Sequence, residues 1–331
     1  MEIDLPHRRA GHCGSGALRD LLEFHRLSWG EAPLSEGMVF GLGSGLGFAY
    51  VELTQMDPPV YLVGRTAGLE HDICTHLGIG LDLRRTDDPA EGWAVLRDAL
   101  DAGRPTMVWA DIQHLDYLRV RLQMTRHDIV VTGYDEEAGV AFVADNDRDE
   151  IQRCSLAALA RARNSAAFPG PNRHATWLMD FPAELPDPAT AVDRALAGAV
   201  ENMRGGGDGL TARAEGMGLA GVDAFAAAYP EWPERFGERL DAALRGLRVF
   251  IVKAGTGGAL FRSLHAQFLH DAHALLGRPE LAAAAATYDE LSREWVALAQ
   301  APDHAAGLAQ VQRVQELEHA GLQAMRRAAA D

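Results

Sequence analysis

HDIVVTGYDEEAGVAFVAD (residues 127–145) contains two runs rich in β-branched and aromatic residues, DIVVTGY (128–134) and GVAFVAD (139–145), joined by Asp135-Glu136-Glu137-Ala138. Two such runs around a short polar turn predict a β-hairpin. In an antiparallel hairpin the start of one strand lies beside the end of its partner. His127 and Asp145, 18 residues apart in sequence, are therefore expected at one end of the hairpin. A carboxylate there accepts the ring N–H, fixes the tautomer and leaves the other nitrogen free to take a proton from a nucleophile. The plainer alternative is a surface histidine near a turn aspartate.

Further strands are expected at TMVWADI (106–112) and ATWLMDF (175–181). Helical spacing appears at Ala17, Leu18, Leu21 and Leu22, after the turn-like Gly11 to Gly16, and again around Ala90 to Leu100. The first half is thus α+β. FPAELPDPAT (181–190), with three prolines, looks like a linker. Beyond it alanine and leucine dominate, and VDRALAGAVENM, DAALRGLRVFIVKAG, LFRSLHAQFLHDAHALLG, PELAAAAATYDELSREWVALAQ and AGLAQVQRVQELEHAGLQAMRRAAA all carry helical periodicity. The expected division is an α+β catalytic domain over 1–184 and an all-α domain of five or six helices over 185–331.

The chain has 331 residues, 47% apolar and 24% charged, which is ordinary for a globular protein with a substantial core. MEIDLPHRRAGHCG at the start has no apolar run, so no signal peptide is expected, and no run is long enough to span a membrane. The expected location is cytoplasmic. A net charge of −16 disfavours a nucleic-acid partner, which needs a basic face. The same charge is compatible with a cationic substrate. The alanine-rich helices fit a homo-oligomer interface or a monomer core equally well.

The cysteines, at 13, 74 and 154, match no metal-knuckle spacing, and no metal or cofactor is expected. Cys13 stands apart because it lies between Gly11-His12 and Gly14-Ser15-Gly16, directly before an amphipathic helix. A helix N-terminus offers a positive dipole end and unpaired N–H groups, both of which favour a thiolate. The alternative is a small buried side chain at a helix start. Cys74 and Cys154 have no matching partner and read as structural. The expected catalytic set is Cys13 as nucleophile, His127 as base and Asp145 as its orienting carboxylate, with the His12 side chain directed elsewhere.

A cysteine at an N-terminal helix start followed by a His–strand–turn–strand–Asp hairpin resembles papain-like enzymes, including bacteriocin-processing peptidases. GHCGSGALRDLLEFH (11–25) and LSEGMVFGLGSGLGFAY (34–50) resemble the butirosin-biosynthesis protein H family. GTGGALFRSLHAQFLHDA (255–272) and the helix bearing Trp295 resemble the helical domain that often follows it. The founding member transfers an amino-acyl chain from an acyl carrier protein to an aminoglycoside amine. The resemblance therefore implies a papain-like fold and a Cys-His-Asp acyltransferase of natural-product biosynthesis. Its donor would be an acyl carrier protein or other thioester and its acceptor an amine-bearing small molecule, joined by ping-pong thioester aminolysis. A peptidase or thioesterase, an acyl-chain cyclase, and a non-catalytic binding protein on the same fold are the alternatives.

Papain-like enzymes carry a glutamine six residues before the cysteine to bind the oxyanion; here that position is His7, whose N–H is a candidate substitute. GLGSGLG (41–47), including Ser44, lacks dinucleotide, phosphate-loop and nucleophile-elbow spacing, and reads as a close backbone approach that lines an acyl channel. Glu36 is a candidate for binding the amine, against a plain helix-start carboxylate. His265, His270 and His273 lie on one expected helix, yet only the last two share a face, which argues against a metal site. Phe261 and Arg262 are candidates to reach the active site, and Gly255, Gly257 and Gly258 suit a tight helix junction. Arg119, Arg121 and Arg126 are candidates for docking an acidic carrier protein.

Overall fold

The computed structural model describes residues 1–53, 55–121, 123–205 and 217–329. Along the chain come α1 (Cys13–Phe24), α2 (Glu36–Leu42), β1 (Leu46–Glu52), β2 (Val60–Arg65), α3 (Leu69–Leu77), β3 (Gly80–Arg84), α4 (Pro89–Asp101) and β4 (Thr106–Ala110). They are followed by β5 (His127–Asp135), β6 (Val140–Ala144), β7 (Gln152–Ser155), α5 (Leu156–Asn164) and β8 (Thr176–Asp180). The last part holds α6 (Pro188–Met203), α7 (Gly218–Ala228), α8 (Trp232–Phe236), α9 (Leu240–Val252), α10 (Arg262–Leu276), α11 (Pro279–Gln300) and α12 (His304–Ala328).

These elements form two compact units, and neither expected domain coincides with one. The first unit comprises Met1–Leu34 and Gly78–Leu185; the second comprises Ser35–Leu77 and Pro186–Asp331. A single cut at 184/185 is therefore corrected: the segment from α2 to α3 lies among the C-terminal helices. The second unit is also not all-α, because β1 and β2 pair antiparallel within it.

The first unit is built on one antiparallel six-stranded sheet in the order β3-β8-β4-β5-β6-β7. Alternation along β4, β5 and β6 sends Val108, Ala110, Ile129, Val131, Ala141 and Val143 into a core with Leu96 and Leu100 of α4 and Ala158, Leu159 and Ala162 of α5. The hairpin turn closes where Asp135 Oδ1 accepts from the Ala138 N–H (2.9 Å) and Gly139 takes φ +67. A register shift between Val131 and Gly133 interrupts the β5–β6 ladder. At that point the chain's first residues run along β5, with Ile3 N–H donating to the Thr132 carbonyl at 2.8 Å. A Cβ on Gly133 would lie 2.2 Å from the Met1 carbonyl oxygen, so the position admits only glycine.

In the second unit the glycines of 41–47 allow close packing, as the sequence suggested. A Cβ on Gly41 would sit 1.9 Å from Phe268 Cγ, and one on Gly45 would sit 2.6 Å from the Phe40 ring. Ser44 is fully buried at φ +48, its hydroxyl donating to the Ala195 carbonyl at 3.1 Å. Arg262 of α10 is buried as well. Its Nη1 donates to the carbonyls of Gly64 (3.0 Å) and Leu260 (2.9 Å), and its Nε donates to Glu318 at 2.7 Å. This arginine ties the β1–β2 hairpin to α12 inside the helical unit. No helix among the described residues is long and apolar enough to cross a membrane.

Candidate active site

Helix α1 begins at Cys13 because His12 caps it: the His12 Nδ1 accepts the Ser15 backbone N–H at 3.2 Å. Gly16, one turn in, is required because a Cβ there would meet Ala10 Cβ at 2.5 Å. The segment before the helix is held down by polar side-chain contacts. His7 Nδ1 meets Asp20 Oδ2 at 2.6 Å, and Arg19 bonds Asp20 Oδ1 through Nε (3.0 Å) and Nη2 (2.8 Å). Arg19 also donates to the Arg8 and Arg9 carbonyls.

The hairpin delivers the histidine and the carboxylate together. His127 Nε2 lies 3.1 Å from both Oδ1 and Oδ2 of Asp145. The remaining ring nitrogen, Nδ1, does not face Asp145, and the His127 side chain acts on Cys13 by charge and by hydrogen-bonding tendency. Asp145 has no exposed side-chain surface, while the His127 side chain keeps 14%. Two further groups hold the carboxylate: Tyr117 Oη donates to Oδ2 at 2.8 Å, and the Asp147 N–H donates to Oδ1 at 3.2 Å.

The protonation states follow from these contacts. Burial opposes a charged Asp145, yet the His127 charge and the hydrogen bonds from His127, Tyr117 and Asp147 overcome it and bring the carboxyl down to about 2. Burial likewise opposes a charged His127, but Asp145, by charge and by hydrogen bond, raises it well above its ordinary value, with Cys13 adding to the effect. Burial would raise the Cys13 thiol; His12 and His127, each by charge and hydrogen bond, instead lower it well below normal. Both shifts run toward the charged forms, thiolate at Cys13 and imidazolium at His127. By contrast, burial pushes Cys74 and Cys154 up to about 12, with nearby Glu70 and Asp116 adding to the rise.

His12 is thus not directed elsewhere, and the sequence signal for it was its place immediately before the helix. Tyr117 and Asp128 were also missed. Asp128 is buried on β5 with Oδ2 3.7 Å from Cys13 Sγ. His7 does not serve as expected, because its ring nitrogens are committed to Asp20 and, through Nε2 at 3.1 Å, to the Arg148 carbonyl. Neither is left for an oxyanion. Glu36 and Ser44 belong to the second unit, Glu36 in the first turn of α2 behind the Ser35 cap. Phe261 and Arg262 are buried in that unit too. His270 pairs with Asp289 at 2.8 Å and His273 with the Arg278 carbonyl at 2.8 Å. Among the described residues no three His, Cys, Asp or Glu side chains are grouped to hold a metal.

Residues 12–146 match the family described as butirosin biosynthesis protein H, N-terminal, and residues 157–330 match a domain of unknown function (DUF4872). The chain belongs to the butirosin biosynthesis protein H family. The N-terminal family match begins one residue before Cys13 and ends one residue after Asp145, so it spans His12, Cys13, Tyr117, His127, Asp128 and Asp145. The second match includes α5 and β8, which fold with the first unit. No curated protein matches the chain.

Proposed function

We propose that this butirosin biosynthesis protein H family member is a papain-like cysteine acyltransferase, in which Cys13, His127 and Asp145 move an acyl group from a thioester to an amine. The observation that carries the reading is the His127–Asp145 hydrogen bond at the end of the hairpin, together with the lowering of the Cys13 thiol by His12 and His127. An acyl carrier protein is the proposed donor and an amine-bearing small molecule the proposed acceptor.

In the first half-reaction the Cys13 thiolate attacks the thioester carbonyl. At the start of α1 the Cys13 and Gly14 N–H groups, which precede the capped Ser15 N–H, are the proposed donors to the developing negative charge. These groups replace His7 as the proposed oxyanion donors. Collapse of the adduct breaks the donor's C–S bond; the leaving thiolate takes the proton of His127, and a Cys13 thioester remains. One thioester replaces another, so the step is nearly isoenergetic. In the second half-reaction the amine attacks, and neutral His127 takes its proton. Expulsion of Cys13 thiolate then yields the amide and restores the ion pair. Asp145 holds the ring in place throughout and stabilises its positive form.

The test is intact-mass spectrometry with an N-acetylcysteamine thioester as surrogate donor. Wild type is expected to gain one acyl group and Cys13→Ala none; an adduct that persists in the variant overturns the reading. Adding a panel of amines then separates transfer from hydrolysis, since release of free acid alone across the panel makes the protein a thioesterase.

A further inference from the structure

Arg126 immediately precedes His127, and its guanidinium carbon lies 5.1 Å from the centroid of the Trp109 ring. Arg85, immediately after β3, places its own guanidinium carbon 4.8 Å from the same centroid. Trp109 pairs directly with Asp128 across β4 and β5. Directly opposed residues share a sheet face, so Trp109 lies on the face where Asp128 reaches Cys13.

Neither arginine has an ion pair among the described residues, although the chain carries a net charge of −16. Arg126 Nε is buried without a hydrogen-bond partner, whereas Arg85 is exposed. The local backbone is built to hold this arrangement. Arg126 adopts φ +57, a left-handed conformation unfavourable for a long side chain. Its N–H is fixed by Asn172 Oδ1 at 2.8 Å, and the adjacent Thr125 hydroxyl bonds the Gly170 carbonyl at 2.6 Å. Asn172 is itself fully buried and anchored to the Ala162 carbonyl at 2.8 Å. Burial and the positive charge of Arg85 both disfavour the charged form of Arg126, and burial and Arg173 do the same for Arg85. Uncompensated guanidinium groups around an aromatic ring are a receptor for a planar or tetrahedral oxyanion.

We propose that Arg85 and Arg126, arranged over Trp109, form an anion subsite beside the nucleophile that binds a carboxylate or phosphate carried by the acyl donor. The proposal rests on the Cys13 acyltransfer reading for what the anion is attached to. Two sources share this chemistry: a carboxylate on the acyl chain, and a phosphate on the arm that bears the thioester.

The experiment compares acylation rates of wild type, Arg85→Gln, Arg126→Gln and Arg126→Lys by intact mass with four donors. Butanoyl and succinyl N-acetylcysteamine differ only in the acyl carboxylate; butanoyl pantetheine with and without its 4′-phosphate differs only in the arm. Each Arg→Gln change is expected to slow the anionic donor of one pair by about 10- to 100-fold, the scale of a lost charge-assisted contact, and its neutral partner by less than about twofold. The affected pair identifies the source, and Arg126→Lys is expected to restore part of the rate. Equal slowing of neutral and anionic donors, or no slowing of either, overturns the subsite. If wild type forms no adduct with any donor, the Cys13 reading fails instead. Calorimetric titration with succinate and with inorganic phosphate then judges the subsite by itself: binding lost in Arg126→Gln supports it, and binding unchanged in that variant, or absent in wild type, overturns it. Exposed Arg85 keeps the test open should Arg126→Gln not fold.

Discussion

His127 in the first unit is largely shielded from water and His265 in the second fully so, and they titrate in opposite directions. Burial pulls on each ring the same way, toward the neutral form. At His265 nothing opposes it: Arg262 adds a like charge, Nε2 faces the Met325 sulfur at 3.0 Å, and the ring falls to about 3. At His127 the Asp145 carboxylate more than offsets the same burial, and the ring is raised. The cysteines repeat the contrast, since Cys74 and Cys154 go up to about 12 while Cys13 comes down. Burial alone makes a titratable group inert; a partner of opposite charge, itself held by hydrogen bonds, makes it reactive.

Removing the ring tests this contrast most severely. His127→Ala takes away the cation that holds the thiolate and the group that returns the proton, so acylation of Cys13 is expected to slow by about 10²- to 10⁴-fold. His265→Ala is expected to leave the acylation rate per folded molecule unchanged and to change only stability. Both effects are read by intact mass and by urea titration. A comparable loss of rate in His265→Ala would break the distinction between a reactive and a structural buried histidine.

The second unit has its own buried ion pair. Arg262 and Glu318 are both fully buried, and Trp295 Nε1 donates to Glu318 Oε1 at 2.8 Å. Glu318→Ala leaves the Arg262 guanidinium without its carboxylate, and an uncompensated buried charge costs about 3–5 kcal/mol. Equilibrium unfolding in urea is expected to show a loss of that order. A loss under about 1 kcal/mol would mean that the pair is hydrated in solution.

Asp145→Asn dissects the pair at His127. The amide cannot supply the negative charge, so the His127 pKa falls and the range in which imidazolium and thiolate coexist contracts from its alkaline end. Iodoacetamide alkylation of Cys13 against pH, read by mass, is expected to show that contraction. The sign for stability is also fixed. The folded carboxyl lies at about 2 against an ordinary 3.8, so its stabilisation is present above 3.8 and disappears as pH falls through 2. Asp145→Asn removes that dependence, and an acid-unfolding curve identical to wild type would contradict the assignment.

The parts of the fold set by local pattern were legible in the sequence. Runs rich in apolar, β-branched and aromatic residues gave β4, β5, β6 and β8 to within a residue or two, and helical periodicity gave α1, α4, α6 and α9 to α12. The His127–Asp145 pairing was legible because one short hairpin sets the two side by side. What escaped was non-local. β3 is partly exposed along its length and has no apolar run to announce it, and α7, rich in alanine and glycine, blended into its surroundings. The assignment of Ser35–Leu77 to the helical unit depends on contacts such as Arg262 to the Gly64 carbonyl, which span 198 positions. No window of sequence contains them. His7 was misjudged for the same reason, because its partner Arg148 lies 141 residues away.

Tyr117 offers the finest test of the contrast between inert and reactive burial. Its hydroxyl is one of several donors to Asp145, and the phenol itself is pushed well above its ordinary range by burial and by the charge of that carboxylate. Tyr117→Phe keeps the ring and the packing but removes a hydrogen bond to an ionised acceptor, worth about 1.5–3 kcal/mol at the upper end of such contacts. His127 and the Asp147 N–H still hold the carboxylate, so the pair survives and only its support weakens. The carboxyl pKa is expected to move up from about 2 toward 3.8, with the midpoint of acid unfolding moving up with it. Acylation at neutral pH is expected to fall only a few-fold, because Asp145 remains ionised there. A loss as large as that of Asp145→Asn would instead make the tyrosine essential to holding His127 in place.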